Sequence, residues 1–247
     1  MKWLIGFLWL LMVAPLEAEQ VNVAAASDLN FAIKEIIQQF ERETGHKVRL
    51  TLGSSGNFYA QIVNGAPFDV FLSADLDYPR QLEKSGYAAP GSTSIYGVGG
   101  IALWVRKDSR IKPDTKGMKA LLEPSIKKVA IANPEYAPYG RAAIAAMQKA
   151  QIYESVKNKL VLGENMSQAA QFVQSGAADA GIIALSIALS EPMERTGLYW
   201  VIPRDNYPPL EQGAVLLKRG GTEAKAFFDW LRGEPARRIF EKYGFGQ

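Results

Sequence analysis

Apolar positions recur along this chain in two alternating rhythms. Val21 and Val23 alternate as along one face of a strand, and the run passes through alanines before turning polar at Ser27, Asp28 and Asn30. Leu29, Ile33, Ile36, Ile37 and Phe40 then recur at helical spacing, and Gly45 marks the stop. "KVRLTL" (47–52) alternates like a strand, "SSGNFYAQIVNG" (54–65) reads as a short helix opened by serine and closed by glycine, "FDVFLSA" (68–74) is strand-like, and "YPRQLEKSG" (78–86) reads as a helix. This β-α-β-α-β order predicts a parallel sheet with helices on its faces.

A second round begins near Ile101. "IALWVRK", "KVAIAN" (128–133), "KLVLG" (159–163), "AGIIAL" (180–185), "LYWVIP" (198–203) and "GAVLLKR" (213–219) are strand candidates. "GRAAIAAMQKAQ" (140–151) and "SQAAQFVQSG" (167–176) predict helices between them, and two further helical pieces, "TEAKAFFDWLRG" and "EPARRIFEKYGF", end the chain. Two α/β lobes account for this recurrence better than one sheet holding every strand, although a single open doubly wound domain is the alternative. The expected division is 19–98 plus 205–247 for lobe 1 and 99–204 for lobe 2.

The first residues, "MKWLIGFLWLLMVAPLEAEQ", carry one lysine and then an apolar run from Trp3 to Val13. That run is too short to span a bilayer. With Ala14-Pro15 and the small Ala18 after it, it predicts a secretory signal over 1–18 and an exported, periplasmic protein. A buried N-terminal helix or an uncleaved anchor is the competing reading.

Composition removes several chemistries. The 247 residues include no cysteine, which excludes disulfides, thiolate metal sites and cysteine nucleophiles. The one histidine, His46, sits between a helix end and a strand in "ETGHKVRL" and reads as a surface residue, so histidine-based metal sites and Ser-His schemes lose their base. A net charge of +3 without any Lys/Arg run gives no electrostatic case for nucleic acid.

What is left lies at the strand-to-helix turns, where open α/β sheets hold ligands. Five are distinctive: "AAASDL", "LGSSGN", "LSADLD", "ANPEYAPYG" and "LGENMSQ". None carries Arg, Lys or His at the turn itself. Serine hydroxyls and free N–H groups at helix starts are neutral donors, and several converging on one point make an anion site. Ala25, Ala26, Gly53, Gly56 and Ala74 leave room for backbone to approach a ligand. Taken singly, each serine is equally well an N-cap.

The runs "AAASDLNFA", "SSGNFYAQIVNGAPFDVFLSADLDYPRQL", "NPEYAPYGRAA" and "RRIFEKYGF" together resemble the periplasmic molybdate-binding proteins of ABC transporters, in the right order over essentially all of the chain after residue 18. The resemblance implies an α/β, two-lobed periplasmic solute-binding fold, each lobe a mostly parallel sheet flanked by helices, closing by hinge motion on a ligand in the interlobe cleft. It implies a tetrahedral oxyanion, molybdate or tungstate, bound without cofactor, directly ligated metal or cationic side chain. It also implies a monomeric receptor that catalyses nothing and delivers its ion to an ABC permease in the inner membrane. Carried over position by position, Ser27 supplies the first serine hydroxyl and Ser55, with Ser54 beside it, the second. Ala74 contributes through its backbone, Tyr139 stands in the P-x-G turn, and Met166 contributes the backbone at the start of the next helix.

One departure matters. Where many members carry a ligand-reaching tyrosine after "GI-V", this chain reads "GIIALS" with Ala184 there, while Tyr139 replaces a common small residue. The expectation is that Tyr139 supplies the missing hydroxyl from another loop; the alternative is that it only packs over the cleft. Asp28 is expected to offer its N–H to the ion and to turn its carboxylate away as a helix cap, since only a protonated oxyanion would gain from that carboxylate. The Met166 side chain is expected to fill apolar space. Three other functions compete: a receptor for sulfate or phosphate, a hydrolase built on Ser27 or Ser55, and the sensing lobe of a regulator. The hydrolase lacks a base and a G-x-S-x-G elbow, and the regulator lacks a DNA-binding helix pair.

Overall fold

The computed structural model describes residues 20–246, so the leader expected at 1–18 lies outside the described residues. The chain opens with β1 (Gln20–Ala26), α1 (Asn30–Thr44), β2 (Lys47–Gly53), α2 (Ser55–Val63), β3 (Val70–Ser73), α3 (Asp77–Lys84) and β4 (Ser94–Gly99). The helical spacing read from Leu29 to Phe40 is realised as a buried stripe of Ala32, Ile33, Ile36 and Phe40 along α1, which stops at Gly45 in the left-handed region, φ 77°.

The chain then passes into a second sheet. Its elements are β5 (Ile101–Arg106), α4 (Pro113–Lys116), β6 (Val129–Ala132), α5 (Pro138–Lys149), α6 (Tyr153–Val156), β7 (Leu160–Gly163), α7 (Met166–Ser175), β8 (Ala180–Ala184), α8 (Leu185–Ala188), α9 (Glu191–Thr196) and β9 (Gly197–Val201). It returns to the first sheet with β10 (Leu210–Leu216) and ends in α10 (Thr222–Leu231) and α11 (Glu234–Lys242).

The two sheets have orders β2-β1-β3-β10-β4 and β7-β6-β8-β5-β9. In the first, β2, β1 and β3 are parallel, and β10 runs antiparallel to both β3 and β4. In the second, β7, β6 and β8 are parallel and β5 runs antiparallel to both β8 and β9. Each sheet therefore has a parallel majority with a single reversed strand in fourth place. In each case an element arriving from the other lobe is that strand, which is why a plain β-α-β reading missed the reversal. The strand β4 was also not foreseen. Its "SIYGVG" has two glycines and only Gly97 and Gly99 fully buried, so its apolar pattern is faint.

The packing follows from these layers. On one face of the first sheet, Val21, Val23, Val70 and Leu72 meet α1 together with Phe227, Phe228, Ile239 and Phe240 of the two C-terminal helices. The other face carries a smaller cluster around Phe58, Phe71, Leu82 and Val215. The second lobe's core, centred on Trp104, Ile131, Met147 and Ile182, also takes in Ala26 and Ala74 from the ends of β1 and β3. The alanines at those strand ends are thus contact surface between lobes. Among the described residues no helix is long and apolar enough to cross a membrane.

One glycine fixes how α5 meets its sheet. A Cβ on Gly140 would lie 2.2 Å from the Ala132 carbonyl oxygen and 2.8 Å from the Pro134 nitrogen, both rigid backbone. Gly140→Ala should therefore push the N-terminus of α5 off β6, lowering stability by about 1–3 kcal/mol. A thermal melt reads this, and an unchanged midpoint would show that the helix start can shift freely.

Candidate functional site

The carboxyl ends of β1, β2 and β3 face helix starts of the second lobe. Ser27 and Asp28 follow β1, Ser54 and Ser55 follow β2, and Ala74 follows β3. Opposite them, Tyr139 is the second residue of α5 and Met166 the first of α7. All seven of these residues are therefore at the lobe boundary, and all are almost completely buried.

Direct bonds tie the lobes together here. Ser167, next to Met166, donates its N–H to Ser27 Oγ at 3.2 Å and its hydroxyl to the Ser27 carbonyl at 3.0 Å. Ser186 Oγ donates to the Asp28 carbonyl at 2.7 Å. The Gly56 N–H donates to the Tyr136 carbonyl at 2.9 Å, joining the start of α2 to the loop before α5. Nearer the surface, the Arg141 guanidinium pairs with Asp75 at 2.9 Å across the same boundary.

The serines share one feature: none of their hydroxyl hydrogens has an acceptor. Ser27 Oγ accepts from Ser167, and Ser55 Oγ accepts the Ala74 N–H at 3.0 Å. Neither hydroxyl hydrogen is given to an acceptor in the protein. The Ser54 hydroxyl, also buried, has no partner at all. A buried hydroxyl without a partner carries a desolvation penalty of about 1–3 kcal/mol. Three in one place amount to a set of donors lacking an acceptor, which is the complement of a ligand that carries acceptors only. The Ala74 N–H, expected to face a ligand, is spent on Ser55; it polarises that hydroxyl and so strengthens it as a donor.

Asp28 departs from expectation. Neither the short 3-10 turn that it belongs to nor α1 has a side-chain cap, so its carboxylate does not cap a helix. Instead Asp28 Oδ2 accepts from Gln212 Nε2 at 3.0 Å, and the same amide nitrogen donates to the Tyr139 hydroxyl oxygen at 2.6 Å. Gln212 comes from β10 and is fully buried. Its Oε1 lies 2.6 Å from the Tyr96 hydroxyl, which also lies 3.0 Å from the Ser73 carbonyl. Burial pushes the Asp28 carboxyl up to about 6, against the opposing pull of the bonds from Gln212, Tyr139 and its own N–H. Desolvation and the charge of Asp28 hold both Tyr96 and Tyr139 far above the ordinary phenol value, so both stay neutral donors.

The Met166 side chain is buried, as expected, and its sulfur also accepts the Ala184 N–H at 3.2 Å. The Met166 N–H opens α7, where no carbonyl one turn earlier serves it; the Ser167 N–H goes to Ser27, and Asn165 Oδ1 accepts the Gln168 N–H at 3.1 Å. His46 stacks on Phe40 with ring centroids 6.0 Å apart, away from the boundary. No cluster of His, Cys, Asp and Glu able to hold a metal ion occurs among the described residues.

Sequence reasoning missed Ser167, Ser186, Gln212 and Tyr96. Ser167 could have been found, because it follows Met166 in the same turn. Gln212 had a weaker signal: one amide just ahead of the apolar run "GAVLL", with no hint of the partner 184 residues away.

Comparison with known proteins places this geometry in context. Residues 21–246 match the family model of the bacterial extracellular solute-binding proteins. The chain is 43% identical over 236 residues to the molybdate-binding protein ModA of Rhodobacter capsulatus, covering 95% of this chain and 91% of that protein. It is 41% identical to the ModA of Azotobacter vinelandii over 96% of this chain and 93% of that one. The solved periplasmic molybdate-binding protein of Azotobacter vinelandii superposes with a TM-score of 0.86 at 33% identity, over 92% of this chain and 99% of that structure.

The raised Asp28 carboxyl makes a prediction about stability. A folded-state value above the ordinary 3.8 means that the folded protein holds this proton more tightly than the unfolded chain. The penalty is absent well below that ordinary value and fully present above about 6, where it reaches on the order of 3 kcal/mol. Asp28→Asn should therefore gain in melting temperature relative to wild type as the pH rises from about 4 to about 8. A difference independent of pH would show that this carboxyl titrates normally.

Proposed function

The chain belongs to the bacterial extracellular solute-binding protein family, and we propose that it is the receptor that captures molybdate, and tungstate with it, outside the cytoplasmic membrane and hands it to an ABC permease. It is a binding protein and not an enzyme. The observation that carries the reading is the set of buried serine hydroxyls, Ser27, Ser54 and Ser55, with no acceptor for their hydrogens. A dianion with four bare oxygens supplies acceptors and nothing else. The molybdate-binding relatives supply the choice of ion, which donor chemistry alone leaves open.

Asp28 supports a fully deprotonated ligand. A free carboxylate would favour an oxyanion that still carries a proton, such as hydrogen phosphate. Here the carboxylate is already engaged by Gln212. In this reading Ser27, Ser55 and Tyr139 donate hydroxyls, while the N–H groups of Asp28, Ala74 and Met166 line the same pocket, Ala74 chiefly through its bond to Ser55. Tyr139 takes the place of the hydroxyl missing at Ala184. The lobes divide at 98/99 and 204/205, the leader over 1–18 directs export to the periplasm, and the receptor works as a monomer.

Calorimetric and thermal-shift titration of the protein lacking its leader tests this. Molybdate and tungstate should raise the melting temperature in a concentration-dependent manner, and sulfate and phosphate should not. Stabilisation by phosphate and not by molybdate would overturn the reading. Tyr139→Phe should weaken molybdate binding roughly ten- to a hundredfold, the value of one hydrogen bond to a charged acceptor. Unchanged affinity would return Tyr139 to a packing role.

A further inference from the structure

We propose that Gln212, held in one orientation by Tyr96, is a positioning residue that makes Tyr139 a hydrogen donor toward the bound ion. The inference rests on the oxyanion-receptor reading above and concerns how one of its donors is aimed.

The number of available hydrogens sets the direction of each bond. A tyrosine hydroxyl has one hydrogen, and a glutamine amide has two on nitrogen and none on oxygen. The Gln212 nitrogen faces two oxygens, Asp28 Oδ2 at 3.0 Å and Tyr139 Oη at 2.6 Å, and serves each with one hydrogen. Tyr139 therefore accepts from Gln212, and its own single hydrogen must point elsewhere. Within the protein the acceptor for it is the Asp28 carboxylate. A bound oxyanion competes for that hydrogen, and a phenol that already accepts a hydrogen bond is the better donor.

The reverse amide orientation would undo this. With Oε1 turned toward Tyr139, the amide would take the Tyr139 hydrogen and remove it from the site. Two neighbours oppose that turn. The Asp28 carboxylate requires a donor opposite it, and the Tyr96 hydroxyl, 2.6 Å from Oε1 against 3.0 Å from the Ser73 carbonyl, gives its one hydrogen over the shorter distance to the amide oxygen. Tyr96 is itself fixed from behind, its ring stacked on Phe240 at a centroid distance of 4.9 Å and an interplanar angle of 26°. The relay thus runs from the C-terminal helix α11, through β4 and β10 of one lobe, to a tyrosine of the other. Gln212 and Tyr96 aim the donor without themselves having to touch the ion.

The test is a double-mutant cycle on Tyr96 and Tyr139, read by molybdate affinity and by the melting temperature without ligand. Tyr96→Phe keeps the stacked ring and removes only the hydroxyl, so the fold should survive. In the wild-type background it should weaken molybdate binding roughly three- to tenfold, the value of one neutral hydrogen bond. In the Tyr139→Phe background it should change nothing, because the hydroxyl that it aims is already gone. Equal losses in both backgrounds would overturn the proposal by showing that Tyr96 acts through packing. No loss in either background would overturn it by showing that the amide needs no anchor. If wild type fails to bind molybdate, it is the receptor reading that fails; if wild type binds and Tyr139→Phe binds equally well, it is the proposal that fails, so the two failures are distinguishable.

Discussion

A carboxylate buried between two lobes, with no cationic side chain bonded to it, is the constraint around which the rest of this structure is arranged. Asp28 cannot be desolvated for nothing: a buried charge that is not compensated by bonds or a counter-ion costs several kcal/mol. Here compensation comes only from neutral donors, an amide from β10, a phenol from α5 and its own N–H. Those donors lie on opposite lobes, so the cost is offset in part, and only when the lobes are in contact. A cation at the same boundary, Arg141, is committed to Asp75. The two carboxylates thus divide the labour, one exchanging charge across the boundary and the other exchanging hydrogen bonds.

The same economy of charge explains the serines. On the proposed reading, a site for a dianion beside Asp28 has no need of a lysine, because hydroxyls and N–H groups can be brought close and held rigid by helix starts. What the fold supplies is alignment. Three strand ends of one sheet and the starts of α5 and α7 meet at one boundary, and the small Ala26 and Ala74 let backbone approach backbone there.

Much of this was legible in the chain, for reasons that can be named. The strand β1 and helix α1 follow directly from the spacing of Val21, Val23, Ile33, Ile36 and Phe40, since burial of one face imposes the period. Ser27, Ser55, Tyr139 and Met166 were found because each stands at a strand-to-helix turn, a local feature. Gln212 and Tyr96 were not, because their significance is relational. A glutamine in a strand means little until strand order places it against an aspartate far off in the chain. The capping role expected of Asp28 failed for a similar reason: a local rule for acidic residues at helix starts gave way to a non-local partner. The reversed direction of β10 and β5 was likewise invisible, since apolar alternation carries no sense of direction.

The chain crosses between the sheets twice, through Gly100 after β4 and through the segment between Val201 and Leu210. A side chain on Gly99, at the first crossing, would lie 2.3 Å from the Tyr139 hydroxyl. Any rotation of one lobe against the other must turn about these crossings, and atoms beside a pivot travel least. Tyr139 and Gln212 therefore sit at the short end of the lever. On the receptor reading proposed above, a bound ion would then leave by stages, losing its outlying contacts as the jaws part while the donor at the fulcrum lets go last.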